Sequence, residues 1–323
     1  MKRIVLLSDI HLTIDTPKAR LDNLVETQFK KLEYVYEWAE KNEAIICQGG
    51  DYVDKPRSWY LLPLLTRFLM RWHKRVETYM VKGQHDTYYY SETSGPATVI
   101  GALNEADFLT ILGPKPIVMD FEGQKISLYG ASFGETVPTP GRYHAGNLLL
   151  THKEISDQAL FEGHRYYSPK GFLKRHQNYG VILAADIHRK FSIKLKSSQK
   201  DRMRYLVNTG PMLRASATTY NFQHKPGFYV WEPYHKLTWH EIPHEPADDI
   251  LTRAHIEAQE DRDKLMAEFT LKLKSKNTED PGCKTGTGNY RRDLDQFVQE
   301  HSISKEIAGH IYGALAEIDA NDL

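Results

Sequence analysis

The chain begins with MKRIVLLSDIHL, residues 1–12, in which a short apolar run is followed by an aspartate and a histidine. The apolar run is too short for the hydrophobic segment of a secretory signal. We therefore interpret residues 4–7 as a buried β-strand whose end delivers Asp9 and His11 to a loop. An aspartate and a histidine two residues apart at such a point can both turn toward one metal ion.

The same arrangement recurs outward from this segment, since short apolar runs alternate with longer segments of helical periodicity. This alternation is typical of an α/β domain. We predict strands at residues 4–7, 44–47, 78–81, 117–121, 126–129, 148–150 and 181–184. Amphipathic helices are predicted at residues 21–41 and 59–73. Three later runs, YLVNT, FYVWE and LTWHEI, predict strands that complete the sheets before residue 245.

The composition of the chain changes after Pro246. We predict a first domain at residues 1–245, a charged helix at 246–275 and a linker at 276–289, which contains the run TEDPGCKTGTG. Residues 290–323 predict a helical tail with an apolar face. Either its own domain or a partner protein could cover that face.

The bulk composition excludes several classes of protein. Lys plus Arg equals Asp plus Glu at 42 each, so any site for a polyanion must be local. Cys47 and Cys283 are the only cysteines, which excludes a disulfide framework and a cysteine-rich zinc module and suits a reducing compartment. No stretch approaches the roughly 18 apolar residues of a membrane span. We therefore expect a soluble, cytoplasmic protein without a membrane segment.

Five strings that contain metal-ligand residues each follow directly on a predicted strand. They are SDIHL (8–12), GGDYVD (49–54), KGQHD (82–86), LLLTHKE (148–154) and AADIHRK (184–190). Taken singly, each has a common structural explanation as a helix cap, a turn or an ordinary histidine. Residues at the carboxyl ends of strands converge in open α/β sheets, however. Five such strings in a fixed order therefore favour one shared metal centre.

These strings resemble the calcineurin-like metallophosphoesterases, whose signature runs D-x-H, G-D, G-N-H-[DE], a strand-end His and G-H-x-H. The matching residues here are Asp9-Ile10-His11, Gly50-Asp51, Gly83-Gln84-His85-Asp86, His152 and Asp186-Ile187-His188. The match spans residues 9–188, more than half of the chain. It implies an α/β fold of the metallophosphoesterase type, a two-sheet β sandwich flanked by helices, here with a C-terminal helical extension.

The resemblance also implies two divalent metal ions, with Mn²⁺ expected and Mg²⁺ as the alternative. The residues implied for the first ion are Asp9, His11, Asp51 and His188. Asp51 would bridge to a second ion, whose other ligands would be Gln84, His152 and Asp186. The resemblance implies that His85 is the catalytic histidine near the scissile phosphate and that Asp86 orients it.

The sequence departs from the family pattern at two positions. Gln84 stands where the family has Asn, so the loop must absorb one extra methylene. Asp186 replaces the first His of G-H-x-H and adds a negative charge, which should favour Mn²⁺ or Mg²⁺ over softer ions. A slower enzyme, a different metal or a degenerate site would each fit these changes. We predict that Mn²⁺-dependent activity is retained.

Within the family, the segments GQHD, NLLLTH and YLVNTGPMLRAS most resemble the nuclease branch, the Mre11 and SbcD exonucleases, including versions encoded by large bacteriophages. Asn208 opens an NTGP run where that branch has a Gly-Ser-Pro turn. The resemblance implies DNA as substrate and a Rad50 or SbcC type ATPase bound through the C-terminal helices. It also implies a homodimer formed through residues 61–72 or 89–103.

Basic residues cluster just beyond the last predicted ligand. A run of this kind is either a solvated hairpin face or a track for a phosphate backbone, and a track would make DNA binding steeply salt-dependent. Our candidate substrate-binding residues are Arg189, Lys190, Lys194, Lys196 and Asn208.

Two other functions remain open. GGDYVDKP also resembles the G-D-x-V-D-R-G turn of Ser/Thr phosphatases, although Lys55-Pro56 stands where that family has Arg-Gly. The substrate would then be a protein or small-molecule phosphomonoester. The third interpretation is a non-catalytic subunit whose metal site is vestigial and whose tail docks an ATPase. Cleavage of DNA, against release of phosphate from monoesters, separates the first two.

Overall fold

A computed structural model describes residues 3–88, 96–121, 123–197, 202–279, 288–305 and 307–313. The chain divides into two compact units, residues 1–252 and residues 253–323. Within the described ranges, no helix has the length and apolar character needed to cross a membrane.

The first unit is built from strands and helices that alternate along much of its length. Its strands are β1 (Arg3–Leu7), β2 (Ala44–Gln48), β3 (Thr78–Met80), β4 (Thr110–Ile111), β5 (Ile117–Phe121), β6 (Gln124–Ala131), β7 (His144–His152), β8 (Tyr179–Ala185), β9 (Phe191–Lys196), β10 (Met203–Asn208), β11 (Gly227–Glu232) and β12 (Lys236–Glu241). Its helices are α1 (Leu24–Lys41), α2 (Leu61–Trp72), α3 (Val99–Glu105), α4 (Pro169–Arg175), α5 (Thr219–Gln223) and α6 (Ala247–Ile250).

The strands form two six-stranded sheets. The first sheet has the order β12-β11-β1-β2-β3-β4, and the second has the order β5-β6-β7-β8-β10-β9. β1, β2 and β3 are parallel neighbours in the first sheet, as β6, β7 and β8 are in the second. Central parallel strands are covered on both faces and therefore read as continuous apolar runs. This explains why AIICQ in β2 and YGVILAA in β8 are buried at every position.

Three apolar layers hold the first unit together. Alternate residues of β1 serve two of them, because successive side chains of a strand point to opposite faces. Val5 packs with residues of α1 and α2, whereas Leu6 packs with Leu150 of β7 between the two sheets. The third layer joins Ile182 of β8 to Phe172 of α4. The predicted two-sheet sandwich flanked by helices is confirmed.

The predicted strands are all present, and most extend beyond the predicted bounds. β7, for example, runs from His144 to His152 around the predicted core of residues 148–150. The basic segment after the last predicted ligand contains β9, which pairs with β10 as an antiparallel hairpin. Lys194 and Lys196 lie at exposed positions of this edge strand.

The second unit contains α7 (Ala254–Glu279) and α8 (Gly288–Glu300). Phe269 of α7 packs with Leu294, Phe297 and Ile311, so part of the apolar face predicted for the tail is covered within this unit. The predicted linker, 276–289, overlaps the end of α7 and otherwise falls largely on residues 280–287, which lie outside the described residues, as do residues 314–323 of the predicted tail.

Candidate metal centre

The predicted ligands follow five parallel strands. Asp9 and His11 follow β1, Asp51 follows β2, and Gln84 lies in the loop after β3. His152 is the last residue of β7, and the loop after β8 carries Asp186 and His188. Four of these residues have a left-handed backbone, with φ of 48° at Asp9, 49° at His11, 52° at Asp51 and 89° at Asp186. Such backbone is uncommon outside glycine and clusters at functional sites.

The first group of ligands comes together as the sequence predicts. Asp9, His11, Asp51 and His188 each offer one ligand atom, and these atoms all lie within 4.8 Å of one another. The Nε2 atoms of His11 and His188 are 2.9 Å apart. Asp51 Oδ2 lies 3.5 Å from His11 Nε2, and Asp9 Oδ1 lies 3.8 Å from His188 Nε2. Metal–ligand bonds of about 2.1 Å place ligand atoms at about this spacing.

The second group adjoins the first at Asp51. His152 Nε2 lies 3.4 Å from Asp51 Oδ2 and 3.8 Å from Asp186 Oδ1. Gln84 Nε2 donates a hydrogen bond of 2.9 Å to Asp186 Oδ1. Asp51 Oδ2 therefore lies near His11 of the first group and near His152 of the second group. This is the position expected of a carboxylate that bridges two ions.

Unpartnered polar atoms test whether these residues fit metal ions. Buried polar atoms in proteins are normally hydrogen-bonded. Within the described part of the chain, however, several predicted ligand residues carry a buried atom without a hydrogen-bond partner, namely Asp9 Oδ2, Asp51 Oδ2, Gln84 Oε1, His152 Nε2 and Asp186 Oδ2. Oxygen and imidazole nitrogen atoms are suitable ligands for Mn²⁺. The residues present therefore fit a pair of divalent ions.

The electrostatics of the site also favour a cation. Burial alone would lower the pKa of His152, but the carboxylates of Asp51, Asp9 and Asp186 outweigh it and raise this pKa to about 10. Burial would likewise raise the pKa of Asp51, but the neighbouring imidazoles, with His152 foremost, lower it to about 2. The carboxylates of the site thus favour a positive charge at this position.

Asp86 holds two loops of the site together. Its Oδ1 accepts hydrogen bonds from the backbone N–H groups of Tyr52 (2.9 Å) and Val53 (3.2 Å), and its Oδ2 accepts one from Gly83 (2.9 Å). Burial, reinforced by the charge of Asp51, raises the pKa of Asp86 to about 7. Asp86 thus connects the GGDYVD loop to the KGQHD loop, a backbone role that differs from the expected orientation of the His85 ring.

The ring of His85 is positioned by Asp54. Nδ1 of His85 lies 2.8 Å from the backbone carbonyl oxygen of Asp54, and the His85 backbone N–H donates to Asp51 Oδ1 at 2.9 Å. The Asp54 carboxylate Oδ1 lies 3.9 Å from His85 Nδ1 and 3.7 Å from His11 Nδ1. Asp54 is not among the site residues predicted from the sequence, although its place as the second aspartate of GGDYVD is a signal from which this role could be predicted.

Two glycines admit the close approach of these loops. A Cβ on Gly83 would lie 2.0 Å from Asp51 Oδ1, and a Cβ on Gly50 would lie 2.4 Å from His152 Nδ1. Gly50 also has a φ of 107°, which a residue with a side chain rarely adopts. At the glycines of the Gly-Asp and Gly-x-His-Asp strings, therefore, any side chain would collide with a neighbouring site residue.

Two clefts adjoin the candidate centre. The first, of about 600 Å³, is lined by His11, His85 and His188 at the metal end and by Arg189 and Tyr220 further out. The second, of about 530 Å³, is lined by His152 and Asp186 together with a set of aromatic and basic residues that includes Phe133, Lys153, Arg165, Tyr166 and Tyr167. Each predicted ion thus has ligands that line a separate cleft.

The five candidate substrate-binding residues occupy different environments. Arg189 lines the first cleft, whereas Lys190 Nζ lies 3.3 Å from the centroid of the Trp239 ring. Asn208 is fully buried, where its amide donates to the Ile187 carbonyl and accepts from the Gly210 N–H. Of these five residues, Arg189 therefore lines the site and Asn208 is buried in the protein interior. Lys194 and Lys196 lie on β9.

Comparison with known families places the chain. Residues 2–190 match the family model described as calcineurin-like phosphoesterase. Because this match covers more than half of the chain, the chain belongs to the calcineurin-like phosphoesterase family. It is a metallophosphoesterase by family, and the candidate centre contains the side chains of a metal site. No curated protein sequence matches the chain.

Several solved structures resemble the chain. The protein TT1561 of Thermus thermophilus has a TM-score of 0.44 and 15% identity, over 75% of this chain and 99% of that one. A novel archaeal phosphodiesterase has a TM-score of 0.37 and 11% identity, over 74% of this chain and 99% of that one. The 5′-nucleotidase precursor from Thermus thermophilus has a TM-score of 0.42 and 11% identity, over 74% of this chain and 54% of that one. Resemblance at this level carries no information about substrate.

Proposed function

We propose that the protein is a two-metal-ion phosphodiesterase that acts on DNA ends, as the nuclease subunit of an Mre11–Rad50 or SbcCD type complex in DNA recombination or repair. The observation that carries this proposal is the pair of clefts, one lined by His11 and His188 and the other by His152 and Asp186. A phosphomonoester has a substituent on one side of its phosphorus atom, whereas a diester has one on each side. Two clefts at one centre therefore suit a diester.

We propose Mn²⁺ as the ion, with Mg²⁺ as the alternative. The ligand set combines three imidazoles with the carboxylates of Asp9, Asp51 and Asp186 and the amide oxygen of Gln84, and this mixture of nitrogen and hard oxygen ligands suits Mn²⁺. When bound, two such ions would polarise the phosphate and stabilise the charge on its entering and leaving oxygens.

His85 is the residue best placed to transfer a proton. It lines the first cleft beside His11 and His188. Because Nδ1 is held by the Asp54 carbonyl oxygen, Nε2 is the ring atom that can face a substrate. The carbonyl oxygen keeps a proton on Nδ1, so His85 in its imidazolium form can transfer the proton of Nε2 to the leaving oxygen, while the Asp54 contact fixes the plane of the ring.

The proposed complex contains a second copy of the protein and an ATPase. We place a homodimer contact at α2 and the two residues before it, where Trp59, Tyr60 and Met70 are 68%, 80% and 59% exposed. Aromatic residues and methionine are enriched in protein interfaces. The other predicted dimer segment, residues 89–103, lies partly outside the described residues. We assign binding of a Rad50 or SbcC type ATPase to the helices of the second unit, whose α7 exposes Leu271.

Hydrolysis of linear duplex DNA with Mn²⁺ tests this function. We expect release of nucleotides by the wild-type protein, faster when the ATPase partner is present, and none by Asp51→Asn. Hydrolysis of 4-nitrophenyl phosphate, a monoester, serves as the comparison. Rapid hydrolysis of the monoester with intact DNA would overturn the proposal.

One observation favours a phosphomonoesterase as the second candidate. Asp54 belongs to the GGDYVD turn that resembles the Ser/Thr phosphatases, and its carboxylate lies 3.9 Å from His85 Nδ1. The same pair of substrates decides between the two functions, since a phosphatase would release phosphate from the monoester.

A further inference from the structure

The outer wall of the first cleft contains Tyr220, whose hydroxyl group is already occupied. The backbone N–H of Lys190 donates to the Tyr220 hydroxyl at 2.7 Å, and this hydroxyl lies 3.2 Å from His224 Nδ1. His224 Nε2 lies 2.8 Å from the carbonyl oxygen of Pro211, so Nε2 carries the proton and Nδ1 accepts from the tyrosine. Burial lowers the pKa of His224 to about 4, which keeps this imidazole neutral. What remains of Tyr220 for a ligand is its aromatic ring.

The ring of Tyr220 is also fixed in place. It stacks on the ring of His224, with centroids 5.2 Å apart and planes inclined by 20°. Gly210 packs against this pair with a φ of 69°, and a Cβ there would lie 2.9 Å from His224 Cε1 and 3.0 Å from the Tyr220 hydroxyl. A rigid, half-buried aromatic ring at the wall of a cleft offers a preorganised surface for a planar group.

The surroundings of Tyr220 indicate which planar group would fit. The Arg189 guanidinium lies over the Tyr220 ring, with Cζ 5.9 Å from the ring centroid, and both residues line the first cleft. The remaining lining includes apolar side chains such as Ile187 and Leu213, hydroxyl groups such as those of Thr13 and Ser216, and the carboxylates of Asp15 and Asp54. The volume of about 600 Å³ is that of a small-molecule site. An aromatic ring, a guanidinium and hydroxyl groups together match the base and sugar of a nucleoside.

We propose that the first cleft holds the nucleoside next to the scissile phosphate, with its base stacked against the wall that Tyr220 and Arg189 form. This inference rests on the proposed function, because the phosphate of that nucleotide would lie at the metal end of the cleft, near His11, His85 and His188. It assigns to Tyr220 the recognition of a base by stacking, which tolerates any base sequence.

Cleavage of paired oligonucleotides tests the inference. The two substrates differ only at the nucleotide next to the cleaved bond, which carries a base in one and is abasic in the other. We expect wild-type kcat/KM to favour the base by about tenfold, within the range of base–aromatic stacking. Tyr220→Leu should lose this preference, and Tyr220→Phe should keep most of it because the ring remains.

Tyr234→Leu is the matched control. Tyr234 also lies beside an arginine, with Arg202 Cζ 5.3 Å from its ring centroid, and its hydroxyl donates to the Lys125 carbonyl. It lines a different cleft, with Arg202 and Lys236, and should leave the base preference unchanged. If circular dichroism shows that Tyr220→Leu is unfolded, Arg189→Ala replaces it, because Arg189 is exposed and its substitution should not disturb the fold. We expect Arg189→Ala to reduce the preference for the base about threefold.

Fluorescence of 2-aminopurine separates this inference from the proposed function. The probes are the 3′- and 5′-monophosphates of 2-aminopurine deoxyribonucleoside with Mg²⁺, and stacking on Tyr220 should quench at least one of them. Quenching that is lost in Tyr220→Leu supports the nucleoside site even if DNA is not cleaved, in which case the nuclease proposal fails alone. DNA cleavage with equal rates on the two oligonucleotides, or an unchanged preference in Tyr220→Leu, would overturn the inference and leave the nuclease standing.

Discussion

Gln84 and Asp186, the two departures from the family pattern, form a hydrogen-bonded pair. Gln84 donates its amide N–H to Asp186 Oδ1 at 2.9 Å, which leaves Gln84 Oε1 and Asp186 Oδ2 as buried atoms without hydrogen-bond partners. The carboxylate therefore orients the amide so that its carbonyl oxygen can bind a metal. The longer side chain of Gln84 and the acid at 186 are complementary changes.

This pairing predicts that substitutions of Gln84 and Asp186 have non-additive effects on Mn²⁺ affinity. Gln84→Asn and Asp186→His each break the amide–carboxylate contact. We expect each to weaken Mn²⁺ binding at the second site by about tenfold, the scale at which loss of a contact that orients a metal ligand acts. The double variant restores the residue pair of the family and should recover most of the loss. Calorimetric titration with Mn²⁺ measures the coupling. Strictly additive losses would show that the two residues act independently.

The position of Asp54 predicts that its substitution lowers turnover more than it lowers metal affinity. Its carboxylate lies 3.7 Å from His11 Nδ1 and 3.9 Å from His85 Nδ1, outside the two groups of predicted ligands. Asp54→Asn keeps the backbone carbonyl that holds His85 and removes only the charge. We expect kcat to fall about tenfold or more, with a smaller loss of Mn²⁺ affinity because the carboxylate also contacts His11. A loss of Mn²⁺ binding equal to the loss of activity would instead make Asp54 a metal ligand.

At the scale of the element, the loops after β2 and β3 interlock through glycine. Gly83→Ala would drive a methyl group into the Asp51 carboxylate and should lower Mn²⁺ affinity by at least about 100-fold, because Asp51 is the proposed bridging ligand. Gly141→Ala is the control, since a Cβ there meets no atom within 4 Å. Calorimetry on both variants measures the effect. Equal affinities in the two variants would contradict this account of the loop.

Lys31 of helix α1 is expected to make the stability of the protein depend on pH. This side chain is buried and donates to the Met212 carbonyl at 3.0 Å; burial first, and then the charges of Arg214 and Arg20, lower its pKa to about 7. In the unfolded chain the lysine keeps its ordinary pKa of about 10.5. Between these values the unfolded state binds more protons, so Lys31 makes the free energy of unfolding rise with pH.

Lys31→Met removes this dependence. We expect the variant to exceed the wild type in stability by up to roughly 3–5 kcal/mol below pH 7, less the lost hydrogen bond, and the difference to shrink as pH rises toward 10. Denaturation followed by tryptophan fluorescence suits the measurement, because all 5 tryptophans lie within residues 1–252. A difference that is constant with pH would show that Lys31 does not titrate in this range.

The strands and the position of the candidate ligand residues at their ends could be predicted from the sequence, because both depend on local patterns. A buried parallel strand is a continuous apolar run, and ligands at its carboxyl end follow within a few residues, as with SDIHL after β1. The pairing of Gln84 with Asp186 and the contact of His85 with Asp54 depend on side-chain directions across loops that are distant along the chain. The buried state of Asn208 likewise follows from packing, which no local pattern encodes.

At the scale of the whole molecule, the candidate centre joins the two sheets. Asp9, His11, Asp51 and Gln84 follow strands of the first sheet, whereas His152, Asp186 and His188 come from the second. Each predicted ion therefore takes ligands from both sheets. Because such ions would bind the folded unit and link its halves, metal occupancy and the stability of this sandwich should be coupled.

Anomalous scattering from crystals soaked in Mn²⁺ is the most direct test of the two-metal centre. We expect two adjacent peaks about 4 Å or less apart, with Asp51 between them. His11 and His188 should lie at one peak, and Gln84, His152 and Asp186 at the other. A single peak at the first group, or no peak at the second, would contradict the account.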